Sequence, residues 1–588
     1  MIHPSLAEAK ARSGYIQIPT TSCDRVRAAF NCLVRLWASL QVSYYGGRYS
    51  IERVLALDKY TRTTSLLRVF VVCVGTPMPM VALVTLQELL PLQEPEAGWR
   101  RNYGFWCRVF MLGVIVSHTY LIQGKYMVDG FAPSSWQLVV FVLGISGTYT
   151  GIGMIVAANL LFPIPFFYIT MTPAFYVPLL ILLYCTLGKS RKLTKYVCFI
   201  ATQKMMGMLY PIYQLLFHRA STTDFVLPVI LLLPVVKLVV KNVVLYFTHH
   251  LEDLTPEAVI FTVDFYNALY LATCMESAST LHAMLIFIVT DFAQTATVLL
   301  GMHRRTATIS QRLLEATGAL ESESVLSALS SLCQRPSTFQ SQNRGGVHVR
   351  SCFRHSLDRQ DLQLLCRLER LPGNSSDDPT RIYLWSSARS AISETRKLTS
   401  LRLTSISSSF SRLASSRRLA AIQPMTKSTA APKRRQDDPI PTDVFKHSNI
   451  LRETLGVLYT AECLVLMAYV EAFIPLFYCT YMLYMVQLPN AEYHTELRNV
   501  NRQNVAYTTR VVFLFGLLQV ASFVLLVLLV RRNCGIQIWY NLAFVLETQM
   551  ALVQGKLMVW MLVTLACRVV HFGADYSFRF VWISGQVQ

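Results

Sequence analysis

The stretch FVLPVILLLPVVKLVVKNVVLYF, residues 225–247, indicates the fold class most directly. It contains no acidic residue and is long enough to cross the roughly 30 Å hydrocarbon core of a bilayer as one α-helix. Stretches of the same kind recur before and after it along the chain. The sequence therefore predicts an all-α, polytopic helical membrane protein.

The composition also favours a lipid environment. Of the 588 residues, 53% are hydrophobic and 15% are charged, whereas soluble globular proteins carry about 25% charged residues. A single soluble core stops growing near about 250–300 residues, so it could not cover this many apolar side chains.

The net charge of +20 lies mainly in the N-terminal segment and one internal loop, both next to spans. Because cytosolic loops are enriched in Lys and Arg, we do not expect nucleic acid as a partner.

We predict about eleven transmembrane helices in an 8+3 arrangement. The uncertain boundary is 257–301, which has neither Gly nor Pro before Gly301 and which we divide at the polar residues 276–280. One undivided helix would lower the count to ten and invert the topology after it. The predicted spans are 66–90, 104–123, 137–161, 166–187, 195–217, 225–247, 257–275, 280–301, 454–487, 510–530 and 538–568.

These spans divide the chain into four parts. They are a basic N-terminal segment (1–63), a first bundle (64–301), a basic Ser/Arg-rich loop that we expect to be mostly disordered (302–453), and a second bundle (454–588). With the N-terminus in the cytosol, the basic loop 188–195, the loop 302–453 and the pair Arg531-Arg532 all face the cytosol. Eleven spans then leave the C-terminus outside. The pattern does not distinguish plasma membrane from endomembrane.

Two basic stretches suggest contacts beyond the bilayer core. Residues 49–62 have the pattern of an amphipathic helix, and residues 396–422 combine apolar residues at helical spacing with several arginines. Both suit the anionic lipids of the inner leaflet. The loop 302–453 also contains Arg-x-x-Ser/Thr triplets, which makes it a candidate kinase substrate.

Charged residues within the predicted spans are the main candidates for function, because inserting one costs about 2.5–3.5 kcal/mol. Several of these charged residues fall near the middle of a predicted span, and Lys241 follows Lys237 by one helical turn. They could form a polar path for an ion, a proton or a charged solute. Alternatively, they snorkel or join helices in purely structural pairs. The candidates for this path are Lys237, Asp264, Asp291, Glu471, Glu547 and Lys556.

Helix breakers and small residues form a second set of candidates. Pro77 and Pro79 lie within the first predicted span, and Pro475 lies in the ninth, where it frees the carbonyl of Glu471. Such breaks either line cavities or kink a helix for packing. Gly147 and Gly151 form a GxxxG motif, which permits close helix packing within the chain or in a homodimer.

Signatures of enzymes are missing from the sequence. It contains no P-loop, no HExxH, no GxSxG and no GxGxxG following a strand. The 14 cysteines form no CxxC pair, a pattern typical of free thiols in a reducing compartment. His249-His250 is the one histidine cluster and favours a solvated linker over a metal site. We predict no cofactor and no metal, and we do not expect an enzyme.

Six stretches of the sequence carry a resemblance to a known set of proteins: YGGRYS (45–50), LALD (55–58), GTPMP (75–79), PEAVIF (256–261), NALY (267–270) and RRNCG (531–535). They resemble a large set of uncharacterised multi-spanning membrane proteins of oomycetes. The resemblance covers nearly the whole chain except 334–445 and implies a shared membrane architecture. That set has no assigned activity, so the resemblance implies no catalytic residue.

Three functions remain open from the sequence. We favour a transporter, a carrier more than a channel, because buried charges of both signs and broken helices occur together. A receptor or signalling scaffold that acts through the loop 302–453 is the alternative. A membrane-embedded lipid-modifying enzyme is the third and would need polar residues gathered at one membrane interface.

Overall fold

The computed structural model describes residues 47–574, apart from 129, 189, 221–224, 249–251, 278–280, 318–323, 336–338, 354, 371–448 and 499. This part of the chain is helical and contains no β-strand. His494 and Val569 form an isolated antiparallel bridge. The all-α class predicted from the sequence is confirmed.

The first half of the chain forms nine helices within the described residues. They are α1 (Ile51–Thr63), α2 (Leu66–Gly75), α3 (Met78–Leu89), α4 (Tyr103–Met127), α5 (Ser135–Asn159), α6 (Phe167–Thr170), α7 (Thr172–Leu187), α8 (Arg191–Ala220) and α9 (Val226–Thr248).

The second half begins with a helix that contains a π-helical turn, Ile260–Asp264, between two α-helical parts. The helices are α10 (Thr255–Val259), α11 (Phe265–Ser277), α12 (Leu281–Thr317), α13 (Val325–Gln334), α14 (Arg359–Glu369), α15 (Ile450–Met485), α16 (Val505–Cys534), α17 (Ile538–Thr548) and α18 (Met550–Ala566). Short 3-10 turns lie at Pro95–Ala97, Glu252–Leu254, Pro489–Tyr493 and Val570–Phe572.

Eight of the described helices or helix runs are long and apolar enough to cross a membrane. They are α2–α3, α4, α5, α6–α7, α9, α10–α11, α15 and α16. The pair α17–α18 also qualifies as one span, although its two halves meet at 81°. The chain is therefore an integral, multi-pass membrane protein. α8 and α12, with 30 and 37 residues, lie at the predicted fifth and eighth spans but outside this set, so a total of eleven stays a prediction.

The structure describes α11 up to Ser277 and α12 from Leu281. Residues 278–280, where we divide 257–301, lie outside the described residues, so this division stays a prediction. The predicted boundary at 301 differs, since α12 continues to Thr317 without interruption. The described part of the predicted loop also contains α13 and α14. The apolar side chains of α13 are buried, which stabilises structure there. Residues 371–448, including the predicted helix at 396–422, lie outside the described residues.

The helix formed by α10, the π turn and α11 is the centre of the bundle. Every residue in its membrane-spanning window is buried, whereas α5 and α16 are one-third buried in theirs. α11 packs against α8, α15 and α16. The outer helices present large apolar side chains such as Leu143 and Leu525 outward, as expected for surfaces that contact lipid tails.

The structure corrects the expected role of the helix at 49–62. The helix exists as α1, but Ile51 to Leu57 are all buried against protein rather than lying on a lipid surface. Arg53, expected near lipid headgroups, is 0% exposed and paired with Glu462. An amphipathic pattern indicates that a helix face is covered and does not tell what covers it.

The GxxxG motif of α5 does not serve packing within the described chain. A Cβ atom added at Gly147 or Gly151 would meet nothing within 4 Å. Gly153, on another face, is the glycine of α5 that packs closely, since a Cβ there would lie 3.1 Å from the Phe167 ring. Gly147 therefore faces outward, and a role in a homodimer stays a prediction.

These contacts predict opposite effects for two Gly→Ala substitutions. A Cβ at Gly104 would lie 2.0 Å from the backbone oxygen of Pro91, and relieving such a clash costs about 1–3 kcal/mol. We expect Gly104→Ala to lower the Tm of the purified protein by several degrees, and Gly147→Ala to leave it unchanged or slightly higher. Equal losses for both variants would show that this packing is wrong.

Candidate functional site

The charged residues of the spans meet where α9, α11, α12, α15 and α16 approach one another. The π-helical turn in the buried central helix ends at Asp264. The backbone N–H of Phe265 donates to the carbonyl of Ile260, five residues back. Such turns insert one extra residue into a helix and often mark functional sites. Here the turn carries a carboxylate into the centre of the bundle.

Lys237 is the centre of this group, which we call the Lys237 network (Lys237, Lys241, Asp264, Asp291 and Glu471). Its Nζ lies 2.8 Å from Oε1 of Glu471 and 3.0 Å from Oδ1 of Asp264. Lys241, one turn further along the same face of α9, places its Nζ 2.8 Å from the same Asp264 oxygen. Asp264 is 0% exposed. Two lysines therefore share one fully buried carboxylate.

Asp291 joins the network from α12. The side-chain amide of Gln519, on α16, donates a hydrogen bond to its Oδ2. Asp291 also interacts electrostatically with Glu471 and Lys237. The structure thus brings together four of the six residues that the sequence proposed for a polar path.

The charges of the Lys237 network do not cancel. Two ammonium groups face three carboxylates, so the described residues give one excess negative charge when all three are ionised. An uncompensated charge is expensive in a medium of low dielectric constant. Asp291 is the carboxylate that no lysine contacts directly within 4 Å among the described residues. It is therefore the natural position for a proton or for a bound monovalent cation.

A second buried cluster closes the end of the bundle near α1. In this Arg53 cluster, the Arg53 guanidinium donates to both carboxylate oxygens of Glu462 at 2.8 Å and to the backbone oxygen of Asp253 at 2.8 Å. The Asp253 carboxylate accepts hydrogen bonds from Ser50 at 2.8 Å and Ser351 at 2.6 Å. Four distant segments of the chain thus meet here.

The Arg53 cluster also contains the side chains of Tyr49 and His355. The hydroxyl of Tyr49 donates to Glu462. The ring of His355 stacks on Phe544, with 5.5 Å between ring centroids. Its Nε2 has no hydrogen-bond partner among the described residues. Burial, together with the Arg53 guanidinium, lowers the pKa of His355 to about 4.

A third cluster, the Glu88 cluster, closes the opposite end of the bundle. The Glu88 carboxylate contacts the Arg108 guanidinium at 3.0 Å and Nε2 of His494 at 3.1 Å. Asn490 donates to the backbone oxygens of Glu88 at 2.6 Å and Leu90 at 2.9 Å. Glu88 and Arg108 have fully buried side chains. Charged groups therefore lie at both ends of the bundle and in its middle.

Glu547 and Lys556 do not belong to the Lys237 network. Glu547 contacts Arg68 and accepts a hydrogen bond from Tyr60 at 2.8 Å. Lys556 pairs with Glu257 at 2.9 Å. The sequence predicts one last span, 538–568, that contains both residues. The 81° bend between α17 and α18 separates them.

The proline breaks have different partners. The carbonyl freed by Pro77 is that of Cys73, and it accepts a hydrogen bond from the Tyr469 hydroxyl at 2.8 Å. Pro79 lies in the first turn of α3. Pro475 is buried inside α15, one turn after Glu471. The break at Pro77 therefore joins α2 to α15, and the break at Pro475 lies beside the Lys237 network.

Sequence reasoning missed both end clusters. Arg53 resembled one of many basic residues before the first span, and Glu88 and Arg108 lie near predicted span ends where charges usually contact water. The pair Arg568–Glu496, 2.5 Å apart, was also missed. The histidine cluster His249-His250 lies outside the described residues. No group of three His, Cys, Asp or Glu side chains within the described part is arranged for a metal ion.

Comparison with known proteins returns no match. No family model matches the chain, and no similar curated protein or solved structure is found.

The Lys237 network predicts a large cost for removing one partner. Lys237→Met leaves buried carboxylates without their cation, and breaking a buried pair in this way costs about 3–5 kcal/mol. We expect a Tm well below that of the wild type, and partial recovery in Lys237→Met/Glu471→Gln. Lys59→Met is the control, because its partner Asp358 is 68% exposed and exposed pairs contribute about 0–1 kcal/mol. Equal effects of Lys237→Met and Lys59→Met would contradict this assignment.

The depressed pKa of His355 predicts a loss of stability in mild acid. The unfolded chain takes up a proton below its ordinary pKa of about 6.5, whereas the folded protein resists protonation down to about 4. The contribution of His355 to the free energy of unfolding is therefore fully present above pH 6.5 and is lost as the pH falls towards 4. Between pH 7 and pH 5 the loss is about 2 kcal/mol from this residue.

Thermal unfolding at both pH values tests this prediction. The Tm of His355→Phe should fall less between pH 7 and pH 5 than that of the wild type. His571, at the opposite end of the bundle, has a pKa that burial also lowers to about 4. His571→Phe should remove a separate and additive part of the pH dependence. Identical pH dependence in wild type and His355→Phe would refute the assignment.

Proposed function

We propose that this chain is a membrane carrier that moves a small solute across the bilayer. We also propose that it couples this movement to a proton or a monovalent cation at Asp291. The single observation that carries the proposal is that the five charged side chains of the Lys237 network come together from four helices. Charges that served only to join neighbouring helices would form isolated pairs. Here they form one connected network in the middle of the bundle, where secondary carriers bind their substrates and coupling ions.

The charge balance supports the coupling part of the proposal. With one negative charge in excess, the Lys237 network is stabilised when Asp291 takes up one positive charge. Release of that charge raises the free energy of the same network. Uptake and release are therefore linked to the arrangement of the helices that carry Lys237 and Glu471. This is the physical requirement for ion coupling.

The two end clusters support a cycle of alternating access. The Arg53 and Glu88 clusters lie on either side of the Lys237 network, and both are buried. Glu462 and Glu471 are nine residues apart on α15, which is about 13 Å at 1.5 Å per residue. A carrier must close each end in turn, and ion pairs that can break and re-form are suitable closures. The present arrangement corresponds to a state closed at both ends.

Topology and lineage belong to the same proposal. We propose that the N-terminal segment and the loop 302–453 face the cytosol. The basic clusters beside the spans support this orientation. The Arg53 cluster would then be the cytosolic closure and the Glu88 cluster the outer one. The resemblance to the oomycete set stays a proposal about lineage and adds no substrate.

Transport by the reconstituted protein tests the proposed function. Proteoliposomes with the full chain are adsorbed to a solid-supported membrane and given concentration jumps of amino acids, organic acids, sugars and inorganic cations. We expect a saturable transient current for at least one class, which an inward proton or sodium gradient increases. Asp291→Asn should abolish the effect of the gradient, because the amide cannot take up the ion.

Matched variants separate the proposed centre from general damage. Lys237→Met should reduce the current at least tenfold, whereas Lys59→Met, which removes an exposed lysine, should retain it. Liposomes without protein give the background. A current for no class of solute would refute the carrier. A gradient effect of full size in Asp291→Asn would refute the coupling site alone.

A further inference from the structure

We propose that Lys204 and the aromatic cavity beside it form a binding site for a small monovalent anion, a halide ion or a small carboxylate. The cavity lies between α4, α5, α7 and α8, apart from the Lys237 network. Aliphatic side chains of α4 and the rings of Tyr149, Tyr168 and Tyr176 line it. Lys204, from α8, is the one charged residue in this lining. The inference does not depend on the proposed function.

Lys204 is a buried cation without a carboxylate partner among the described residues. It is 8% exposed. Its Nζ donates one hydrogen bond, at 3.0 Å, to the backbone oxygen of Tyr168. An ammonium group has three N–H donors, so this contact satisfies one of them. By contrast, the buried lysines Lys237, Lys241 and Lys556 each lie within 3.0 Å of a carboxylate.

Aromatic rings compensate Lys204 only in part. Nζ lies 3.2 Å from the centroid of the Tyr168 ring and 5.9 Å from that of Tyr176. A cation–π contact contributes about 0.5–2 kcal/mol, whereas burying an ion costs several kcal/mol. Burial therefore disfavours the ammonium form of Lys204 unless an anion lies close to it. An anion in the adjacent cavity would stabilise that form and complete an ion pair that the described residues do not supply.

The size and lining of the cavity limit the kind of anion. Its free volume is about 20 Å³, which is enough for one or two water-sized groups. The hydroxyl of Tyr176, in contact with that of Tyr120 at 3.0 Å, adds a polar group at the wall. One buried positive charge matches one negative charge. Larger or divalent anions such as sulfate fit neither the volume nor the charge.

Thermal unfolding of the full-length protein in neutral-lipid nanodiscs tests this site. Sodium gluconate is replaced stepwise by sodium chloride, or in a second series by sodium formate, at constant ionic strength. We expect the Tm of the wild type to rise and saturate in at least one series, because a ligand that binds the folded state stabilises it. The series that saturates at the lower concentration identifies a halide or a carboxylate as the preferred anion.

Three variants give the test its specificity. Lys204→Met should lose the anion-dependent rise in Tm, whereas Lys192→Gln, which removes an exposed lysine from the same helix, should keep it. Val116→Ile retains Lys204 and fills the cavity with one methylene group, so it should weaken the apparent affinity at least tenfold even where Lys204→Met does not fold. A wild-type Tm that is the same in gluconate, chloride and formate would overturn the proposal. So would an unchanged response in Val116→Ile.

Discussion

The ion pairs of Lys237 are the interaction on which the arrangement of this bundle depends. A lysine in the middle of a bilayer is tolerated only with an opposite charge close by, and the partners of Lys237 come from two other helices. One of them is the buried central helix, which has no contact with lipid along its membrane-spanning window. The position of that helix fixes where α9 and α15 can lie relative to it. Apolar packing alone would allow these helices to slide or rotate, because lipid tails solvate Leu and Val as well as a neighbouring helix does.

The same constraint explains why charged residues occur in layers along α15. Glu462 pairs with Arg53 near one end, Glu471 pairs with Lys237 in the middle, and the turn after α15 contributes His494 to the Glu88 cluster. Each layer joins segments that lie far apart in the sequence. Because every pair is buried, separating any one of them exposes charges that must find water or new partners. In the proposed cycle, each layer would therefore be a contact that is either made or broken.

The sequence predicted the apolar helices well, because hydropathy acts over about twenty residues. Each of the eleven predicted segments overlaps a described helix. Eight of these helices or helix runs, and one bent pair, are long and apolar enough to cross a membrane. It also singled out Lys237, Asp264, Asp291 and Glu471, since a lone charge in an apolar stretch is conspicuous. It could not identify Arg53 or Glu88, because a basic residue before a span and an acidic residue at its end are equally compatible with contact to water. Glu547 and Lys556 lie outside the Lys237 network for a geometric reason. Hydropathy indicates that 538–568 is apolar, but it does not indicate that α17 and α18 meet at 81°, and this bend falls between the two residues.

In the proposed carrier cycle, the position of Pro475 favours opening at one end of the bundle over the other. Pro475 lacks an N–H group, so the carbonyl of Glu471 has no intrahelical partner and α15 is weakest at this point. The break lies after Glu462 and Glu471 but before the turn that carries Asn490 and His494. Bending there would move the part of the chain that holds the Glu88 cluster while Arg53–Glu462 and Lys237–Glu471 stay intact. Opening the other end has no such hinge in α15 and requires Arg53 to leave two carboxylate oxygens and a backbone oxygen at once. In that cycle, the end closed by the Glu88 cluster is therefore expected to separate at lower cost, and the Arg53 cluster to be the more stable closure.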